Sequence, residues 1–215
     1  MSAKKVVQQF EKLVEADPTN AGLLQKLGEA CQRAGDNIKA ADAFARVGEC
    51  YERDGFFLKS VALLKQVLKL NPERNDINFK LADLHLKLGL LREAVAYFHI
   101  GLEEAHQNRD HATCLATSKK LIEVEPHKPQ FRLYFAHLLL WAERKEEARS
   151  ELVDAARLLR AHHPDLAATA EAIELKPGRD STSSELAAVR ALRFELNDRT
   201  NLERDLLLLD FEQPN

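Results

Sequence analysis

An all-α solenoid of antiparallel helices is the fold this sequence predicts, on three observations. Pro18, Pro72 and Pro126 recur at one interval of 54 residues, each closing a similar apolar-charged run. The runs are Leu13-Val14-Glu15-Ala16-Asp17-Pro18, Leu68-Lys69-Leu70-Asn71-Pro72 and Ile122-Glu123-Val124-Glu125-Pro126. Apolar residues recur at helical spacing almost throughout, and no segment reads as a strand. Gly35, Gly55 and Gly89 punctuate the pattern as glycines just past helix ends do. A unit of fixed long period cannot bury its apolar face alone and must stack on its neighbours.

The elements follow in order. Helices are predicted over 4–16, 21–34, 37–53, 57–70, 75–88, 91–107, 110–124, 129–142, 145–161 and 164–175. Asn20 is placed to cap the second helix. Pro129 fits the first turn of the eighth. In 57–70, Phe57, Val61, Leu64 and Leu68 form one stripe that Val67 widens, with Lys59, Lys65 and Lys69 elsewhere. In 37–53 the apolar face is broad: Ile38, Ala40, Ala41, Ala43, Phe44, Val47, Cys50 and Tyr51. Short connections make consecutive helices antiparallel. The array is expected over 1–176, followed by a loop over 177–184 and a capping helix with a tail over 185–215. Thr182 and Glu185 are spaced like a capping box. Leu186, Val189, Leu192 and Leu196 then carry the apolar stripe of a helix over 184–196. Thr200 and Glu203 repeat the cap spacing before Leu202 to Leu209. The run Leu206-Leu207-Leu208-Leu209-Asp210-Phe211 is too apolar to stand free in water. This end covers the last repeat, or docks on a partner or in the protein's own groove.

Composition excludes several functions. The 215 residues are 45% hydrophobic and 30% charged with a net charge of −3. No basic stripe points to nucleic acid. No apolar run has the length of a membrane span. The beginning of the chain lacks a secretory leader, so a cytoplasmic location is expected. Cys31, Cys50 and Cys114 are too scattered for a disulfide framework or zinc knot and read as small buried residues. No nucleophile elbow or glycine-rich phosphate loop is present. Glu103-Glu104 and Glu146-Glu147 are adjacent and diverge on a helix. His99, Glu103 and His106 share one helix face, but without a fourth ligand they read as polar surface. His162-His163-Pro164-Asp165 reads as a helix junction. No catalytic, cofactor or metal site is expected, and the protein is predicted not to be an enzyme.

Read from Ala41, the residues Phe44, Val47, Gly48, Tyr51, Ser60, Leu64, Val67 and Pro72 alternate large and small as the 34-residue tetratricopeptide repeat does. Leu24, Leu27, Gly28, Cys31, Ala40, Phe44 and Val47 repeat the pattern from Ala21, and Leu81, Ala82, His85, Ala94, Phe98 and Gly101 from Asn75. Glu52 and His106 replace the closing proline in those two units, and Asn78 replaces a large residue. The chain thus resembles the tetratricopeptide repeat (TPR) family over residues 4 to about 160, as a 54-residue three-helix variant. The resemblance implies a right-handed TPR-like α-solenoid. The small residues Gly28, Ala82 and Ala136, with Ala40, Ala94 and Ala148, stand where helices cross closest, and Phe44, Phe98 and Leu152 fill the space beside them. Helices 37–53, 91–107 and 145–161 each serve two successive repeats. The odd count leaves two solutions: signature faces alternate between layers, or the array bends at these shared helices.

The resemblance also implies a partner surface on the first helices of the repeats. Carried over, it comprises Gln25, Lys26, Glu29, Gln32 and Arg33, then Asp76, Phe79, Lys80, Asp83, Leu86 and Lys87, then Gln130, Leu133, Tyr134, His137, Leu140 and Trp141. Phe79, Leu133, Tyr134, His137, Leu140 and Trp141 are the candidate anchors, since buried aromatic groups dominate interfaces. The lysine and asparagine with which one subclass clamps a C-terminal carboxylate are replaced by Gln25 and Glu29. The implied function is a non-enzymatic protein-interaction adaptor or scaffold, whose partner is a peptide, helix or folded protein. The segment Gly55 to Pro72 is similar to segments of bacterial polarity and motility TPR proteins, which implies a small Ras-like GTPase as partner. The rivals are a cytoplasmic chaperone holding an extended segment of a secretion client, and a homo-oligomer assembled through residues 185–215.

Overall fold

The computed structural model describes residues 3–175 and 182–200. Those residues form eleven helices and no strand. They are α1 (Ala3–Ala16), α2 (Ala21–Arg33), α3 (Asn37–Arg53), α4 (Phe57–Leu70), α5 (Asn75–Lys87), α6 (Leu91–Gln107), α7 (His111–Val124), α8 (Pro129–Trp141), α9 (Lys145–Leu159), α10 (Pro164–Ala172) and α11 (Thr182–Thr200). The helix expected over 184–196 begins earlier and runs on to Thr200. Most of the loop expected over 177–184, the capping spacing Thr200/Glu203 and the run Leu206 to Phe211 lie outside the described residues. The described residues are all-α, built of consecutive antiparallel helices, as the sequence predicts. The chain divides into two compact units, Met1–Gly101 and Leu102–Asn215, and α6 runs through the division.

Local chemistry sets the helix ends. Asn20 Oδ1 accepts from the Leu23 backbone N–H at 3.1 Å, as its cap position predicts. Asp36 and Asp110 cap α3 and α7 the same way. Five helices end in one turn type, with a left-handed residue at Gly35, Gly55, Gly89, Arg109 and Glu143. In each, the next residue's N–H reaches back to a carbonyl five residues earlier: Asp36 to Cys31, Phe56 to Tyr51, Leu90 to His85, Asp110 to Ala105 and Arg144 to Leu139. That is the Schellman closure of a helix C-terminus. The 54-residue period maps Gly55 onto Arg109 and Gly89 onto Glu143, so the turn persists where the glycine does not.

In the first unit, ion pairs identify which helices lie side by side. Glu11 of α1 meets Lys39 of α3 at 2.8 Å, and Asp42 of α3 meets Arg74, just before α5, at 2.6 Å. Glu49 and Glu52 of α3 meet Lys80 and Lys87 of α5. On the other side, Leu23, Leu24 and Leu27 of α2 cluster with Leu63 of α4. The Lys65 ammonium of α4 lies over the Tyr97 ring of α6, 5.8 Å from its centroid. Odd-numbered helices therefore form one layer and even-numbered helices the other. The three-helix period is resolved here by alternation of the signature faces. The surfaces carried over to α2 and α5 consequently fall in opposite layers and do not make one continuous face.

The small residues stand at the close crossings. Ala40, Ala82 and Ala94 are fully buried, with Phe44 and Phe98 packed in the core. A Cβ on Gly28 would come within 2.7 Å of the Phe44 ring, and one on Gly48 within 2.9 Å of Leu64. Ser60 Oγ donates to the Gly48 carbonyl at 2.8 Å, a bond available because both residues are small. One expectation fails: Ile38, assigned to the apolar face of α3, is 66% exposed. It lies in the first turn of α3, away from the buried run that begins at Ala40.

In the second unit the core gathers around α8. Leu133, Ala136, Leu139 and Leu140 of α8 pack with Ala148, Leu152 and Ala156 of α9, with Leu166 and Ala170 of α10, and with Leu186, Val189, Leu192 and Leu196 of α11. Arg132 ties α8 to α9 through Glu151 at 2.7 Å and Asp154 at 3.3 Å. α11 lies mainly against α8 and meets α10 more lightly. Its four predicted apolar positions are all buried.

Candidate functional site

Helix α8 reads Pro-Gln-Phe-Arg-Leu-Tyr-Phe-Ala-His-Leu-Leu-Leu-Trp. A helix that is apolar around its whole circumference has to be covered on every side. Here Gln130, Phe131 and all residues from Leu133 to Leu140 are buried. Pro129 supplies the first-turn geometry, and the Glu143 turn closes the far end. Gln130, Tyr134, His137 and Trp141 follow helical spacing and share one face.

The structure locates the six sequence-predicted anchors as follows. Leu133, Tyr134, His137 and Leu140 are buried in the second unit, where α11 crosses α8. Trp141 is half-buried and stacks on His111 of α7 with ring centroids 3.6 Å apart. Burial pushes the His111 imidazole below its ordinary pKa. Phe79 belongs to the first unit, is half-buried, and lies against Gly101, whose missing side chain makes room for its ring. The face assigned to a partner on α8 is thus occupied by the chain's own α11.

The contact between α8 and α11 combines good apolar packing with poor polar satisfaction. The Arg193 guanidinium lies over the Tyr134 ring, 4.8 Å from its centroid. Among the described residues, the Tyr134 hydroxyl, both ring nitrogens of His137, Gln130 Oε1 and both side-chain polar atoms of Asn197 have no hydrogen-bond partner. All four residues are buried. An unsatisfied buried polar group costs about 1–3 kcal/mol. Burial, then Arg193, Arg190 and His106, push the His137 imidazole down to a pKa of about 3, so it is neutral at physiological pH. The same burial, with the Cys114 thiol adding to it, raises the Tyr134 phenol. Elsewhere α11 is well anchored: Lys145 meets Glu185 at 2.8 Å in a buried pair, and Arg199 meets Asp165 at 2.6 Å.

Arg193 and Asn197 carry no apolar signal and escape the sequence reading, which registers only Leu186, Val189, Leu192 and Leu196. Their signal is positional, because each lies one residue beyond a member of that stripe and so on its edge. The three cysteines are buried and unpaired, and burial raises Cys114 to about 12, far from a reactive thiolate. Among the described residues no three His, Cys, Asp or Glu side chains converge to hold a metal ion. No described helix is long and apolar enough to cross a membrane.

A tetratricopeptide repeat family model matches residues 57–117. No curated protein matches the chain. Solved structures that resemble it include BtubC (BKLC) from P. vanneervenii, at 15% identity over 99% of this chain and 96% of that one, with a TM-score of 0.43. YrrB, described as a TPR protein with an unusual peptide-binding site, shows 16% identity over 75% of this chain and 97% of its own, with a TM-score of 0.31. A MamA chain from Desulfovibrio magneticus RS-1 shows 14% identity over 66% and 96%, with a TM-score of 0.31.

Proposed function

We propose, for a chain that carries tetratricopeptide repeats over residues 57–117, a non-enzymatic adaptor that holds another protein on the α8 face. The observation that carries this reading is that the face already accepts a helix: α11 lies along it, with Val189, Leu192 and Leu196 buried in the same core as Leu133 and Leu140. Trp141, half-buried at the end of that face, is the least buried of the α8 anchors. Phe79, which the 54-residue period maps onto Leu133, is the anchor of the first unit. Binding draws on apolar anchors inside a polar rim, as at protein interfaces generally.

For the partner's identity, the similarity of residues 55–72 to polarity and motility adaptors supports a small Ras-like GTPase. A crosslinking pull-down from the native cell tests the reading, with Trp141→Ala and Phe79→Ala as comparisons. Capture of one folded GTPase in a nucleotide-dependent way supports the GTPase adaptor. Recovery of unfolded export clients supports a chaperone instead. A dimer in solution that reverts to monomer on removal of residues 197–215 supports self-assembly. Capture unchanged in both variants rules out this surface.

A further inference from the structure

The α8 face presents polar atoms that its present occupant leaves unanswered. Tyr134 Oη is a donor, His137 offers one ring donor and one ring acceptor, and Gln130 Oε1 is an acceptor. These three residues follow one another at helical spacing on a single face of α8, and all three are buried. Opposite them α11 brings the Arg193 guanidinium, over the Tyr134 ring, and the Asn197 amide; the side-chain polar atoms of Asn197 find no partner among the described residues. Arg193 and Arg190 of α11, with His106, act on His137 and disfavour its charged form. The apolar half of the contact is complete, since Leu186, Val189, Leu192 and Leu196 are all buried. The cover is therefore right in shape and wrong in polarity.

We propose that α11 is an intramolecular stand-in on α8, and that the partner suited to this face is an amphipathic helix with a carboxylate where α11 has Arg193. The carboxylate accepts hydrogen bonds from the Tyr134 hydroxyl and the His137 ring N–H, satisfying two buried donors at once. A charge-assisted bond of this kind is about twice as strong as a neutral one. A neighbouring anion also favours the protonated ring, which burial first and then Arg193 and Arg190 disfavour. This inference rests on the adaptor reading of the α8 face and adds the chemistry of the partner.

The experiment uses the full chain carrying Val189→Asp, which introduces a charge at a fully buried position of α11 and frees the face. Where that chain loses its helical circular dichroism, Glu185→Lys replaces it, setting two ammonium groups against each other at the Lys145–Glu185 contact. The probes are fluorescein-labelled peptides of residues 182–200, one native and one carrying Arg193→Glu, followed by fluorescence anisotropy. The expected result is at least tenfold tighter binding of the Arg193→Glu peptide, and loss of that preference when the chain also carries Tyr134→Phe and His137→Leu. Equal binding of the two peptides overturns the carboxylate inference and leaves the adaptor reading standing. A preference that persists with Tyr134→Phe and His137→Leu overturns it as well. Failure of both peptides to bind overturns the inference and the adaptor reading together.

Discussion

Helices α5 and α8 occupy equivalent places in the 54-residue period, starting at Asn75 and Pro129, yet they meet their neighbours by different physics. Lys80 and Lys87 of α5 reach across to Glu49 and Glu52 of α3, in pairs whose side chains remain in contact with solvent. At the same places α8 has Tyr134 and Trp141, and the lower-lying positions Asp76 and Asp83 become Gln130 and His137. The charged face is satisfied by an exposed ladder of ions and needs no cover. The aromatic one has to be covered, and α11 covers it. The repeat backbone is thus indifferent to how a face is used, and a handful of side chains decides whether it is a rim or a seat.

The largest expected effect breaks or keeps that contrast directly. Leu192 is almost fully buried between α11 and α8, and Leu192→Ala should cost about 2–5 kcal/mol through lost packing and an unfilled cavity. Lys80→Ala removes only an exposed ion pair and should cost about 0–1 kcal/mol. Urea unfolding measures both. Trp141, the single tryptophan of the chain, reports on the second unit by fluorescence, and circular dichroism reports on all helices. Similar losses in the two variants would dissolve the distinction between α5 and α8.

The next effect is a pH dependence that the second unit owes to His137. Its folded pKa, about 3, lies below the ordinary value of 6.5. Between those values the unfolded chain binds more protons than the folded one, so stability falls as pH drops through this window. The slope reaches about 1.4 kcal/mol per pH unit. His111, also lowered, adds in the same direction. Asp76, Asp110, Asp165 and Glu147 are lowered carboxylates whose contributions are lost only at more acid pH. Unfolding free energies compared between pH 6.5 and 5 therefore isolate the imidazoles, and His137→Leu should flatten most of the slope. An equally steep slope in His137→Leu would place the sensitivity elsewhere.

Much of this molecule is legible in its sequence, and the limit follows the range of the interactions involved. Helix bounds are local, fixed by apolar spacing and by groups such as Asn20 and Pro129, and α1 to α9 fall where that spacing puts them. The close crossing at Gly28 is legible because only a small residue permits it. Layer alternation in the first unit depends on pairs such as Glu49–Lys80 and Asp42–Arg74, which join residues about a repeat apart and leave no periodic trace. The covering of α8 is more remote still. The sequence marks Leu133, Tyr134, His137 and Leu140 as a face in need of a partner, but whether that partner is α11 or another chain is a question of three-dimensional return. Ile38 shows the converse error, where apolar type suggested burial and position in the first helical turn left it exposed.

A smaller effect tests the close crossings. Gly28→Ala gains about 1 kcal/mol of helix propensity but drives a methyl to 2.7 Å from the Phe44 ring. Phe44 is itself buried and has little room to yield, and overpacking of this kind costs about 1–3 kcal/mol. A net loss of about 1 kcal/mol is expected in urea unfolding. A gain would mean that α2 and α3 separate easily and that the crossing is not fixed by the small residue.

The smallest effect separates the turns that kept glycine from those that lost it. Gly55 and Gly89 adopt the left-handed conformation without a side-chain penalty, whereas Arg109 (φ 56°) and Glu143 (φ 59°) hold it with one. The closing bonds are made regardless: Asp110 N–H to Ala105 O and Arg144 N–H to Leu139 O are both 2.8 Å. The turn is therefore imposed by the helices it joins. Left-handed geometry costs an L-residue about 1–2 kcal/mol, and glycine returns part of that as unfolded-state entropy, about 0.5–1 kcal/mol. Arg109→Gly and Glu143→Gly should each stabilise the protein by about 0.5–1 kcal/mol, raising the thermal midpoint by a few degrees. Gly55→Ala and Gly89→Ala should lower it by a similar amount. Should Arg109→Gly or Glu143→Gly instead lower the midpoint, the side chain at that turn contributes contacts worth more than the backbone strain, and the fading of glycine along the repeats reflects a gain rather than tolerance.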